Sequence, residues 1–217
     1  MSTHPIEIAE ADDLPKSVEV SFKHALPQVP LNIWGLLGFG ITTMLLNIHN
    51  AFPSHYGFNG LILGHGCMIG CLLQLVSAFL ELKARNAFAA TAFFSYALFW
   101  AALCFSKFFN YAWSTNEADA RVAKEFTGWF LAVWGFFTFF MLLILCLKPK
   151  GKKNPQLINI FGSLFILFCL LAAGDFLNNT TIGRIAGFEG IYCGFCAFMH
   201  GIAALFKHET GYKLLFF

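Results

Sequence analysis

Six ionisable side chains fall inside the long apolar runs of this 217-residue sequence: His49, His65, Glu81, Asp175, Glu189 and His200. Charge in hydrocarbon is costly and marks solute or proton pathways, so the search for function starts with these groups and with the neutral polar residues that accompany them. Thr42, Thr43, Asn47 and Asn50 cluster in one run, and Thr43, Asn47 and Asn50 recur at spacings of four and three, the signature of one helix face. Gln74 and Glu81, seven apart, share a face of the next run. Two polar faces in a small bundle imply a shared wet path.

Each ionisable residue also has a plainer role. His65 lies between Gly64 and Gly66 and is the histidine best placed to face a cavity; with Glu81 and Asp175 it forms the set considered for proton handling. Glu81 precedes Lys83 and Arg85 and equally fits an ion pair at the membrane surface. Asp175 and Glu189 are expected near helix ends, where solvation at the membrane edge accounts for them. His49 and His200 read best as satisfied core histidines. An intramembrane enzyme using His65, His200 and Asp175 would need a nucleophile or a paired metal motif, and neither is visible. The seven cysteines (67, 71, 104, 146, 169, 193 and 196) lack the spacing of a four-thiolate zinc site and read as small apolar core residues. No metal, cofactor or catalytic residue is expected.

The elements that must carry these residues are apolar stretches. With 58% hydrophobic and 12% charged residues and a mean hydropathy of +0.65, the chain supplies several runs of the roughly 20 residues that a spanning helix needs. Spans are expected at 32–51, 58–82, 87–106, 126–147, 157–177 and 185–206, six helices in a compact all-α bundle. Helices are preferred to a β-barrel because the runs are continuous rather than alternating. Residues 1–30 are read as an N-terminal tail, 31–206 as the membrane domain and 207–217 as a C-terminal tail.

Ten of the fourteen basic residues fall on the amino-terminal side of these spans, which places both termini in the cytoplasm by the positive-inside rule. Trp129, Tyr111, Trp113 and Tyr56 at the opposite helix ends, and Trp34 at a near one, are expected at the interfaces. The basic stretch Lys148 to Lys153 would meet anionic lipid headgroups, and no nucleic-acid partner is expected. Glycines at 60, 64, 66 and 70, and at 183, 187, 190 and 194, fit close helix packing or a subunit interface. No Lys or Arg lies deep in a span, so a crossing anion would meet no fixed counter-cation there.

The segment Gly35-Leu-Leu-Gly-Phe-Gly-Ile-Thr-Thr-Met-Leu-Leu-Asn-Ile-His-Asn50 resembles the first helix of the acetate uptake transporter family, the succinate/acetate permeases of microbes. The likeness continues through Gln74, Glu81, Asn86-Ala-Phe88, Thr91-Ala-Phe-Phe-Ser-Tyr96, Trp134-Gly135 with Phe139 and Phe140, and Ala186-Gly187-Phe188 with Gly190. The resemblance implies transport of acetate or a similar short carboxylate, such as succinate, through a path in each protomer of a homohexamer, in a plasma membrane or bacterial-type inner membrane. It also implies an apolar constriction, whose three side chains fall on Phe39, Tyr96 and Leu164, and a pore-wall position at Ala197, where side-chain size would limit the substrate. Such a neck excludes ions by dewetting, and the Tyr96 hydroxyl would be its one polar handle. The chain departs from the family's Asn-Pro-x-Pro-Leu-Gly-Leu opening, reading Pro30-Leu-Asn-Ile-Trp-Gly-Leu36. The alternative is a membrane scaffold or sensor in which the glycine faces only drive assembly.

Overall fold

The computed structural model describes residues 30–55, 60–113 and 117–214, with side chains at 110–123 excluded. Most of the expected N-terminal tail, Tyr56 and the side chains of Tyr111 and Trp113 therefore lie outside the described residues. The described residues form six helical rods and no strand: α1 (Ile33–Ala51), α2 (Gly60–Lys83), α3 (Ala87–Trp113), α4 (Glu117–Leu147), α5 (Pro155–Phe176) and α6 (Thr180–Thr210). Five of them, α2 to α6, are long and apolar enough to cross a membrane. The 19-residue α1 is shorter and diluted by Thr42, Thr43, Asn47, His49 and Asn50. A helix of that composition needs the other rods around it rather than lipid, and its inward face is buried among them.

Close backbone approach builds the tightest pair, α1 against the antiparallel α6. A Cβ on Gly40 would meet the Gly194 carbonyl at 2.7 Å, and one on Gly194 would meet the Gly40 carbonyl at 2.8 Å. Only glycine at both positions permits this crossing, which is the small-residue packing expected in lipid. One helical turn on, Gly190 leaves room for the Asn47 side chain. By contrast, added side chains at Gly60, Gly64 and Gly183 would meet open space. The sixth helix thus uses its glycines mainly for packing within the bundle.

Within α2, residues Gly66–Leu73 widen into π-helical turns. Such turns leave the regular carbonyl ladder disturbed and recur at functional sites. Gln74 answers one of the disturbed acceptors by donating its Nε2 to the Gly70 carbonyl at 2.6 Å.

Two helix junctions repeat one device at opposite ends of the bundle. After α2, Arg85 adopts a left-handed φ of 57°, Asn86 N–H donates back to the Glu81 carbonyl at 2.9 Å and Arg85 N–H to that of Leu82 at 3.0 Å. After α5, Asn178 takes φ 46°, Asn179 N–H donates to the Gly174 carbonyl at 2.9 Å and Asn178 N–H to that of Asp175 at 3.3 Å. Both are Schellman closures, and in each the Asn that follows the left-handed residue caps the next helix: Asn86 accepts from Ala89 N–H and Asn179 from Thr181 and Ile182 N–H. This cap starts α6 at Thr180, five residues before the expected 185, because the Asn178 to Thr181 stretch reads as a turn in sequence but serves as a helix start. At the far end α6 runs past 206 to Thr210 and stops at the left-handed Gly211. Asn154, with Pro155 behind it, starts α5 in the same way.

Candidate functional site

At the end of the bundle where α1 begins, helices α1, α2, α3 and α5, with Lys148 from just beyond α4, enclose a vestibule of about 130 Å³. Its polar lining comes from Asn32, Gln74, Asn86 and Lys148. Its apolar lining includes Leu36, Phe88 and Phe93, and deeper in it includes Phe39 from α1, Tyr96 from α3 and Leu164 from α5. The structure therefore brings together the three side chains assigned to the constriction. All three are buried, and the Phe39 and Tyr96 rings lie 6.0 Å apart at a tilt of 53°. Aromatic contact continues from Tyr96 to Phe161, Trp134 and Phe137. An apolar collar of this kind would strip water from a solute that passed it.

The Tyr96 hydroxyl is already engaged. It lies 2.9 Å from Thr138 Oγ1, and Thr138 donates its own proton to the Trp134 carbonyl at 2.7 Å. With the Thr138 proton so placed, Tyr96 is the donor, and its polar end is anchored to α4. Ala197, fully buried on α6, belongs to the same packed core but does not border the vestibule.

Beyond Phe39, α1 carries the polar series. Thr42 and Thr43 lie three and four residues on, roughly 5 Å further along the axis, and both hydroxyls are buried without a hydrogen-bond partner. A buried, unpaired hydroxyl costs about 1–3 kcal/mol, so two on adjacent residues mark a place that a polar guest or water would fill. Asn47, 1% exposed, donates to the Thr43 carbonyl at 2.9 Å and accepts from Asn50 at 3.0 Å. Gln74 alone of the five polar-path residues also borders the vestibule.

The residues considered for proton handling are dispersed. Glu81 is 6% exposed and accepts from the Asn86 side-chain amide at 2.8 Å; among the described residues it forms no ion pair with Lys83 or Arg85, because the chain reverses at Arg85. His65 is half-exposed at the start of the π-helical segment, with Nδ1 3.1 Å from the carbonyl of Leu61 in its own helix. Asp175 sits at the far end of α5, with Lys107 and Lys124 as the surrounding cations. His200 is half-buried on α6.

Three positions were not legible beforehand. Glu189, expected near a helix end, stands nine residues inside α6, roughly 14 Å from its start, where Ser163 donates a hydroxyl to it at 2.7 Å. The shift follows from the earlier cap at Asn179. Ser77, buried, accepts the Gly35 N–H at 2.7 Å and so satisfies one of the free donors of the first turn of α1. Lys148, expected at lipid headgroups, borders the vestibule with its ammonium 4.8 Å from the Phe88 ring centroid. Only tertiary folding brings these partners within reach.

The model of the GPR1/FUN34/yaaH family matches residues 24–216. The succinate-acetate/proton symporter SatP of Escherichia coli K12 is 35% identical over 181 residues, covering 83% of this chain and 90% of that protein. A protein of Methanothermobacter thermautotrophicus is 37% identical over 206 residues, covering 91% of this chain and 93% of its own. Among solved structures, the bacterial acetate channel SatP superposes with a TM-score of 0.76 at 32% identity, covering 87% of this chain and 98% of that one.

Proposed function

This chain belongs to the GPR1/FUN34/yaaH family, and from that premise we propose that it carries acetate or a related short-chain carboxylate, succinate included, across a membrane. The solute enters the vestibule, sheds water at Phe39, Tyr96 and Leu164, and is met beyond them by the hydroxyls of Thr42 and Thr43 and the amides of Asn47 and Asn50. The observation that carries this reading is the vestibule floored by a buried aromatic and aliphatic collar, with two buried, unpartnered hydroxyls about one helical turn further along α1. A related symporter acts on succinate and acetate with protons, and the related solved structure is of an acetate channel. We assign the protein to a plasma membrane or bacterial-type inner membrane, with both termini in the cytoplasm and one path in each protomer of a homohexamer.

Proton linkage is natural for this chemistry. An acid with a pKa near that of a glutamate side chain, about 4.3, is neutral in only about one molecule in several hundred at pH 7, and a greasy collar passes a neutral or partly dehydrated acid more readily than a hydrated ion. The test is radiolabelled acetate uptake into proteoliposomes, with uptake into protein-free liposomes subtracted. A protein-dependent flux that rises when the outside is made more acidic than the inside supports coupled transport, and a flux indifferent to the gradient supports a channel. No protein-dependent flux would leave the scaffold reading.

A further inference from the structure

Four lysines follow α4 in quick succession, at 148, 150, 152 and 153. Lys150, Lys152 and Lys153 are exposed, whereas Lys148 is half-buried and borders the vestibule. Its ammonium rests over Phe88, 4.8 Å from the ring centroid. A ring face holds a cation electrostatically without neutralising it. Among the described residues no carboxylate forms an ion pair with Lys148. The mouth therefore holds one positioned and unneutralised positive charge, with the exposed lysines of the following loop adding to the local field.

Below that charge the lining is aromatic. Phe88 lies 5.5 Å from Phe161, Phe161 lies 6.1 Å from Tyr96, and Tyr96 lies 6.0 Å from Phe39. Beside the mouth stands Asn32, whose side chain makes no capping bond to α1. Charge and amide at the rim with rings beneath them match an amphiphilic anion: a carboxylate at one end and a short hydrocarbon body at the other.

We propose that Lys148 is the anion-capture residue of the vestibule, binding the carboxylate of a small organic acid at the rim while its apolar part faces the ring ladder toward Phe39 and Tyr96. This rests on the transport reading above. The ammonium offers charge-assisted hydrogen bonds, stronger than those of neutral donors, and Asn32 supplies an additional amide. The site favours short monocarboxylates and small dicarboxylates over neutral solutes of the same size. The competing role, a lysine that only extends toward anionic headgroups, is removed by working in neutral lipid.

Equilibrium exchange of radiolabelled acetate in phosphatidylcholine proteoliposomes tests the assignment independently of transport direction. Lys148→Gln is expected to raise the half-saturating acetate concentration roughly fivefold while holding the maximal rate within about twofold, and Lys148→Arg to restore half-saturation to within about twofold of the parent. Raising ionic strength from about 0.02 to about 0.3 M should weaken half-saturation clearly more in the parent protein than in Lys148→Gln, whose smaller response comes from the exposed loop lysines, because the longer screening length at low salt reaches across the mouth. Half-saturation in Lys148→Gln equal to the parent's, or an identical salt response in both, would overturn the assignment. Should Lys148→Gln fail to insert, line broadening of carbon-13 acetate on the detergent-solubilised parent replaces it: salt-sensitive broadening that Lys148→Arg preserves supports the capture site, and salt-insensitive broadening overturns it. Absence of exchange in the parent protein would remove the transport reading itself, whereas normal exchange with an unaltered Lys148→Gln removes only this site.

Discussion

At the residue scale, the collar separates shape from hydrogen bonding. Tyr96→Phe keeps the ring that packs on Phe39 and Phe161 but removes the bond to Thr138. A net loss of about 1 kcal/mol of stability is expected from one such bond, with acetate flux within about twofold of the parent, measured as thermal unfolding in detergent and uptake in vesicles. A collapse of flux in Tyr96→Phe would instead place the hydroxyl on the solute's route. Leu164→Ala removes a wall of the collar, and Ala197→Ser adds a hydroxyl in a fully buried position. Uptake competition among acetate, propionate, butyrate and succinate should then shift toward larger acids for Leu164→Ala and change in profile for Ala197→Ser. An unaltered profile in both would remove these residues from the path.

Elements set how accurately those side chains are held. The α1–α6 crossing has no room at Gly194, where a Cβ meets backbone at 2.8 Å, whereas at Gly183 it meets nothing within 4 Å. Gly194→Val should therefore lower the unfolding midpoint sharply through overpacking, which costs about 1–3 kcal/mol or more, and Gly183→Ala should be neutral or slightly stabilising because alanine is the better helix former. Ser77→Ala leaves the Gly35 N–H of α1 without its acceptor, a loss of about 1–3 kcal/mol where the donor stays buried, read by the same melt. The paired Schellman junctions after α2 and α5 hold by hydrogen bonding rather than by glycine, since Arg85 and Asn178 occupy the left-handed positions. Arg184 joins the two terminal rods a second time by donating Nε to the Ala51 carbonyl at 3.3 Å, the favourable placement of a cation at a helix C-terminus.

For the whole molecule, six rods put the two ends of the membrane domain on one face. Accessibility labelling of single cysteines introduced at the exposed positions Trp34, Gly211 and Tyr212, in a cysteine-free background and in right-side-out and inverted vesicles, should give matching patterns; opposite patterns would require an odd number of crossings. Much of this architecture follows from the order of apolar runs and turns alone. Four of the six spans end within five residues of the rods, because each run is long enough to form a helix that satisfies its own backbone in lipid, whereas α3 runs seven residues past the expected 106 to Trp113 and α4 starts nine before the expected 126, at Glu117. Where the boundaries moved, local hydrogen bonding decided: the cap at Asn179 lengthened α6 backward and carried Glu189 from a supposed helix end to a position well inside the bundle.

The sequence by itself determined that this is a polytopic helical membrane protein, because hydropathy over twenty residues is a local property that needs no knowledge of neighbours. It also located the polar face of α1 and, through resemblance, the residues Phe39, Tyr96 and Leu164. Tertiary structure alone decided that these three close one vestibule, that the Tyr96 hydroxyl turns to Thr138, that Glu81 engages Asn86 rather than a cation, that Ser163 reaches Glu189, and that Lys148 stands at the mouth. Apart from the local Glu81 turn, these contacts join residues far apart in the chain. They depend on the rotation and depth of one helix against another, which in lipid are fixed by side-chain packing and glycine-permitted backbone contact rather than by the apolar pattern of any single span.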